Sequence, residues 1–251
     1  SRLLVGRGDL TATWTRFLKI RNARMILLVG ESGTGRSSLM RCLSEETEKS
    51  VHLDMFPSDD PVSAILHEIY VTLVGFDVPS STQELVSRLV LNTESTQGSL
   101  PLISLDFSNA DGKKLADVLA TLVNPLNRLN ALVIVSLTTV QRAQIPASLV
   151  NNFDHSTVIK PLTEQEVKKL CESRIASASN ISWNLTEEAL LYVMGNTKGN
   201  PSKVMRLLRD MVDEERSNPR DTKYEEPSID YQKSEIKISY PEEDIIVFFR
   251  V

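Results

Sequence analysis

Cysteine is nearly absent from this chain: there are two in 251 residues, Cys42 and Cys171. Both fall in segments with helical periodicity, where a cysteine is a small hydrophobe to be buried, so a disulfide framework is not expected. Histidine is as scarce. His52, His67 and His155 lie without ligand spacing, and no zinc site is expected. No apolar run approaches the roughly 18 residues that a membrane span requires, and the first residues lack the layout of a signal peptide. Positive charge is not in surplus either. The 28 Lys and Arg stand against 33 Asp and Glu, a formal net charge of −5, which removes any bulk electrostatic case for nucleic acid. The local exception is the first 24 residues, where Arg2, Arg7, Arg16, Lys19, Arg21 and Arg24 face Asp9 alone. Such a face is ordinarily the solvated side of a helix. The compartment expected is cytoplasmic or nuclear.

What is present is an ordinary globular composition, 41% hydrophobic and 24% charged, with core enough for one large domain or two modest ones. The most informative stretch is residues 25–42, MILLVGESGTGRSSLMRC. Residues 25–29 form the short aliphatic run of a parallel strand covered on both faces. After it, Gly30, Glu31, Ser32, Gly33, Thr34, Gly35, Arg36 and Ser37 follow the phosphate-loop spacing G-x-x-x-x-G-K-[ST], with arginine in the place of lysine. Ser38 and an amphipathic helix carrying Leu39, Met40 and Leu43 come next. Glycines let consecutive N–H groups turn inward around a phosphate, and the helix adds about half a positive charge at its N-terminus. Ser37 is placed to put its hydroxyl on Mg²⁺, and the side chain at 36 to reach the β- and γ-phosphates. Arginine keeps the charge but is longer, planar and forked. Binding of ATP or ADP is therefore a stronger expectation than turnover.

The remaining chain alternates strand and helix patterns. Residues 3–5 run into a Gly6-Arg7-Gly8 turn, and a helix from Asp9 buries Leu10, Trp14, Phe17 and Leu18. A second strand is expected at 51–55, helices at 61–76 and 82–92, and a polar loop at 92–98. A buried strand at 100–106 ends in Asp106, and is followed by a helix at 113–127, a strand at 131–138 and a fifth strand at 156–160. From Thr163, which with Glu166 forms a capping box, the pattern is helical: 163–178, 186–196 and 201–216. Residues 217–234 are polar, and 235–249 alternate as a hairpin.

The phosphate loop, Asp106 at the end of a buried strand, and three helices after the fifth strand together resemble the AAA+ ATPases. The likeness is to the origin-recognition initiator and signal-transduction branches. It implies an α/β fold: a five-stranded parallel sheet of order 5-1-4-3-2 flanked by helices in residues 1–161, a three-helix lid in 162–216, and a linker with a β-hairpin in 217–251. A DNA-reading winged helix of the kind initiators carry after the lid is not expected at this length.

The same resemblance implies roles. Val5, Gly6 and Arg7 would border the adenine, and Asp106 would hold Mg²⁺ through water beside Ser37. Thr138 or Thr139 fits the sensor-1 position, and Pro201 and Lys203 lie in the sensor-2 segment, where Ser202 replaces an arginine. Phe107 stands where these proteins usually carry the glutamate that polarises the attacking water, with Asn109 and Asp111 nearby at unusual spacing. Asn152 stands where an arginine finger would be. Four departures, at Arg36, Phe107, Asn152 and Ser202, all touch positions that act on the γ-phosphate. The expectation is an ATP- or ADP-binding regulatory or assembly module with weak or absent ATPase activity, in DNA replication or another nucleic-acid transaction. The alternatives are an active oligomeric ATPase and a nucleotide-free interaction scaffold. Nucleotide and other protein subunits are the expected partners. DNA rests only on the basic N-terminal face and the resemblance, and no membrane is expected.

Overall fold

The structure, a computed structural model, describes residues 4–178 and 185–217 together with strands 228–231 and 234–237. It divides into two compact units, Arg7–Lys160 on one side and Ser1–Gly6 with Pro161–Val251 on the other.

The larger unit runs α1 (Gly8–Lys19), β1 (Arg24–Gly30), α2 (Arg36–Ser44), β2 (Ser50–Leu53), α3 (Pro61–Leu73), α4 (Thr82–Ser95), β3 (Leu102–Asp106), α5 (Gly112–Asn127), β4 (Leu132–Leu137), α6 (Thr139–Gln144), α7 (Ala147–Val150) and β5 (His155–Ile159). Its five strands form one parallel sheet in the order β2-β3-β4-β1-β5, the expected order read from the other edge. Strands β1, β3 and β4 are the aliphatic runs, and they are buried almost throughout, as parallel strands under helices must be. Alternate residues such as Leu27, Val29, Leu105 and Val135 join Ile69 of α3, Leu89 of α4 and Leu119 of α5 in the main core.

Several boundaries differ from the sequence pattern for local reasons. Helix α3 begins behind Asp60, whose carboxylate accepts from Ser63 N–H, with Pro61 in the first turn. It ends at Leu73 because Gly75 adopts φ +136°, short of the expected residue 76. Helix α4 runs on to Ser95, through part of the expected polar loop. Buried Thr93 is satisfied there, donating to Val90 O at 3.0 Å and accepting from Asn130 N–H at 3.1 Å. Helix α6 had no counterpart in the expected pattern. It follows from a capping box at the end of β4, in which Thr138 Oγ1 accepts from Gln141 N–H and Gln141 Oε1 accepts from Thr138 N–H.

The smaller unit holds α8 (Glu164–Ala178), α9 (Glu187–Thr197) and α10 (Pro201–Ser217) around a core that includes Leu162, Val167, Cys171, Val193 and Val204. The expected cap on α8 is present, with Thr163 N–H donating to Glu166 Oε2 at 2.8 Å. Burial above all, with Glu172 adding to it, pushes the Cys171 thiol up to about 12, so it behaves as an inert hydrophobe, and both cysteines are free. Gly199 joins α9 to α10 at φ +72°, and a Cβ there would strike the carbonyl oxygen of Leu162.

The hairpin differs from expectation. It pairs β6 (Ser228–Tyr231) with β7 (Ser234–Lys237), so its first strand falls inside the stretch read as linker. That register sets Ile229 opposite Ile236. Residues 245–249, expected as the second strand, lie outside the described residues.

Candidate functional site

The phosphate-loop sequence forms the turn between β1 and α2. Gly33 and Gly35 take φ +81° and +92°, conformations an L side chain resists, and Gly35 is the N-cap of α2. At Gly30 the crowding is direct: a Cβ there would lie 2.8 Å from Thr34 Oγ1. The turn is fixed from within, since Thr34 N–H and hydroxyl both donate to Glu31 O, at 3.3 and 2.7 Å. From Gly35 onward the first N–H groups of α2 have no intrahelical acceptors, and with the helix dipole they favour an anion. A backbone cradle with two residues at positive φ and a crowded Gly30, at the mouth of a helix, fits a phosphate.

Arg7, 7% exposed, holds this loop from behind. Its Nη2 donates to Thr34 O at 3.2 Å and to Lys160 O at 2.7 Å, so it clamps the loop to the end of β5. Val5 and Gly6, expected beside it at a base, belong to the smaller unit. The rest of the basic N-terminal stretch is largely engaged as well. Lys19 pairs with Glu46 and Arg24 with Asp154, each at 3.3 Å, and Arg21 donates to Gly98 O at 3.0 Å.

Behind the loop lies a closed polar cluster. Asp106 ends β3, and Ser136 is its register partner on β4. The Arg36 side chain is only 5% exposed and turns into the sheet, donating from Nη1 to Ser136 Oγ and from Nη2 to Ser108 Oγ, both at 3.1 Å. Its Nη1 lies 3.9 Å from Asp106 Oδ1. Both carboxylate oxygens have hydroxyl donors at 2.6 Å, Ser37 on Oδ2 and Ser108 on Oδ1. Burial lowers the basicity of Arg36, and Asp106 works against that. Burial also opposes the charge on Asp106, but the bonds from Ser108 and Ser37, the Arg36 guanidinium and Ser136 together hold its carboxyl below the ordinary range. The predicted metal pair, Ser37 and Asp106, is thus brought together, with each partner satisfied by the other. Among the described residues no group of three His, Cys, Asp or Glu could hold a metal ion, and no helix is long and apolar enough to cross a membrane.

The positions expected to act on a γ-phosphate also make contacts within the fold. Phe107 is 1% exposed in the core, edge-on to Phe56 with ring centroids 5.3 Å apart. Asp111 caps α5, its Oδ1 accepting from the N–H groups of Lys113 and Lys114. Thr138 caps α6. Asn152 Nδ2 donates to Ser148 O at 3.0 Å and Leu149 O at 3.2 Å, closing the end of α7. Pro201, Ser202 and Lys203 open α10 in the smaller unit, where Asn200 Oδ1 accepts from the N–H groups of Ser202 and Lys203.

Three participants were missed in the sequence. Ser136 and Ser108 hold the guanidinium, and buried Gln141 donates to Phe107 O at 2.7 Å and Ala110 O at 2.8 Å, pinning the turn after β3. A hydroxyl inside the aliphatic run LVIVSL and the Thr-x-x-Gln spacing at 138–141 were the signals available.

No family model matches the sequence, and no curated protein matches it. Solved structures do match. Aeropyrum pernix ORC1 in complex with DNA aligns with a TM-score of 0.59 and 18% identity, over 88% of this chain and 63% of that one. Thermotoga maritima RuvB, in a variant form, aligns at 0.55 and 16%, over 86% of this chain and 65% of that one. Domain III of the Thermotoga maritima replication initiation protein DnaA aligns at 0.54 and 13%, over 87% and 88%. All three are AAA+ ATPases. The chain has the AAA+ fold. At these identities the likeness is one of fold, and the chain spans under two thirds of the length of ORC1 and RuvB.

Proposed function

We propose that the chain is a nucleotide-binding AAA+ regulatory or assembly module that hydrolyses ATP weakly or not at all. The observation that carries this reading is the side chain after Asp106. Activating a water for attack on a phosphoryl group requires an acceptor beside it, and Phe107 is hydrocarbon buried against Phe56. Binding itself asks less of side chains. The loop at 30–37, with Gly33 and Gly35 in left-handed conformations at the mouth of α2, offers backbone N–H groups to the phosphates of ATP or ADP. Arg7 and Thr138, in the same unit as the loop, are the further contacts this reading assigns, and Val5, Gly6, Pro201 and Lys203 are assigned by the resemblance alone. The partners it implies are nucleotide and other protein subunits. A setting in DNA replication or another nucleic-acid transaction is supported by the fold shared with ORC1 and DnaA domain III.

Mg²⁺ does not fit beside the loop with the side chains arranged as they are, because the Arg36 guanidinium, fixed by Ser136 and Ser108, already stands 3.9 Å from the Asp106 carboxylate. Thermal unfolding with and without saturating ADP or ATP tests the binding. Ligand at a hundred times its dissociation constant stabilises by about 2.7 kcal/mol, so Tm rises by several degrees. An unchanged Tm with both nucleotides overturns the binding. Steady turnover of about one per second or faster, within the ordinary range for enzymes, overturns the weak hydrolysis.

A further inference from the structure

Three charges must balance at the nucleotide loop: the Asp106 carboxylate, the Arg36 guanidinium and the polyphosphate assigned above. A guanidinium does not lose its proton in a protein, so position 36 carries a permanent positive charge. Its place is fixed by two hydroxyls on different segments, Ser136 on β4 and Ser108 after β3, each at 3.1 Å from a different terminal nitrogen. Such a fork cannot swing the way a lysine ammonium can on its flexible stem. The carboxylate it faces has a hydroxyl at 2.6 Å on each oxygen.

A divalent ion held by the lone pairs of the Ser37 hydroxyl and, through water, by Asp106 would sit a few ångströms from that fixed positive charge. Mg²⁺ also demands near-octahedral oxygen ligands and keeps several waters, while the Arg36 and Asp106 side chains are 5% and 4% exposed. Yet one task of the metal still has to be done, since an unscreened carboxylate repels a phosphate. Arg36 already does it from inside the sheet.

We infer that Arg36 takes the place of the divalent cation, so that the loop binds nucleotide phosphates without Mg²⁺. This rests on the nucleotide reading above and goes beyond it. Equilibrium dialysis of the full chain against ADP and ATP, once with EDTA and once with excess Mg²⁺, is the test. The expected dissociation constants agree within about threefold between the two conditions. Binding at least about tenfold weaker in EDTA overturns the inference and leaves nucleotide binding standing, whereas no binding in either condition overturns both. Arg36→Lys, with folding checked by circular dichroism, is expected to bind about tenfold more weakly in EDTA than in Mg²⁺. A lysine variant as indifferent to Mg²⁺ as the parent overturns the assignment to Arg36.

Discussion

Residues 30–37 and the segment from Phe107 to Asp111 both adjoin Asp106, but they use their residues in opposite ways. The first acts through backbone: glycines at positive φ, a helix N-terminus, and a turn closed by Thr34. The second spends its side chains on stability, with Phe107 in the core and Asp111 as a helix cap. Backbone N–H groups survive almost any side-chain exchange that keeps the turn, whereas water activation depends on one carboxylate in one place. Binding and chemistry can therefore part company in a single fold.

The largest test of that contrast is Phe107→Ala, expected to destabilise by about 3–5 kcal/mol in urea unfolding. Phe107→Glu is expected to unfold the unit rather than create an ATPase, because the carboxylate would be buried without a partner. A folded Glu variant that hydrolyses ATP would erase the distinction between the two regions.

Next in size is Asp106→Ala, which strands a buried guanidinium and is expected to cost about 3 kcal/mol. The same carboxylate gives a pH signature. Its folded pKa is depressed, so the unfolded chain takes up the proton first as pH falls. The stability it contributes is present above the ordinary carboxylate value of about 4 and is lost as pH drops toward the folded value. Urea midpoints between pH 6 and 3 should fall less steeply in Asp106→Asn than in the parent.

Gly35→Ala sharpens the loop side. Nothing lies within 4 Å of the added Cβ, so the strain is one of φ +92° alone, about 1–2 kcal/mol, while nucleotide affinity should drop by much more than stability. Smallest is Asp111→Ala, a lost cap of about 1 kcal/mol, with nucleotide affinity unchanged in dialysis. A loss of affinity there would give Asp111 a part in the site.

Much of the fold could be read from the chain because its signals are local. The aliphatic runs of β1, β3 and β4 are too apolar to lie anywhere but the centre of a covered sheet. The loop at 30–37 was legible for a related reason: its spacing encodes a backbone path. The cluster behind it was not, since Arg36 meets a serine 100 residues away and another 72 away. Only the register of β3 against β4 makes Ser136 the neighbour of Asp106. The cap made by Thr138 was less legible, because a threonine at a strand end serves equally as a γ-phosphate contact or as a cap, and the Gln141 that completes the box lies three residues on. The hairpin was displaced because the run at 245–249 is more apolar than Ser228–Tyr231, and composition outweighed the Ile229–Ile236 pairing.

The clamp made by Arg7 carries one more consequence. A single guanidinium grips the carbonyl of Thr34 and that of Lys160, so the loop is moored to the end of a strand with one neighbour among the described residues. Outer strands fray before inner ones. On warming, the grip on phosphate should therefore slacken in step with amide exchange in His155–Ile159, while β3 and β4 are still intact.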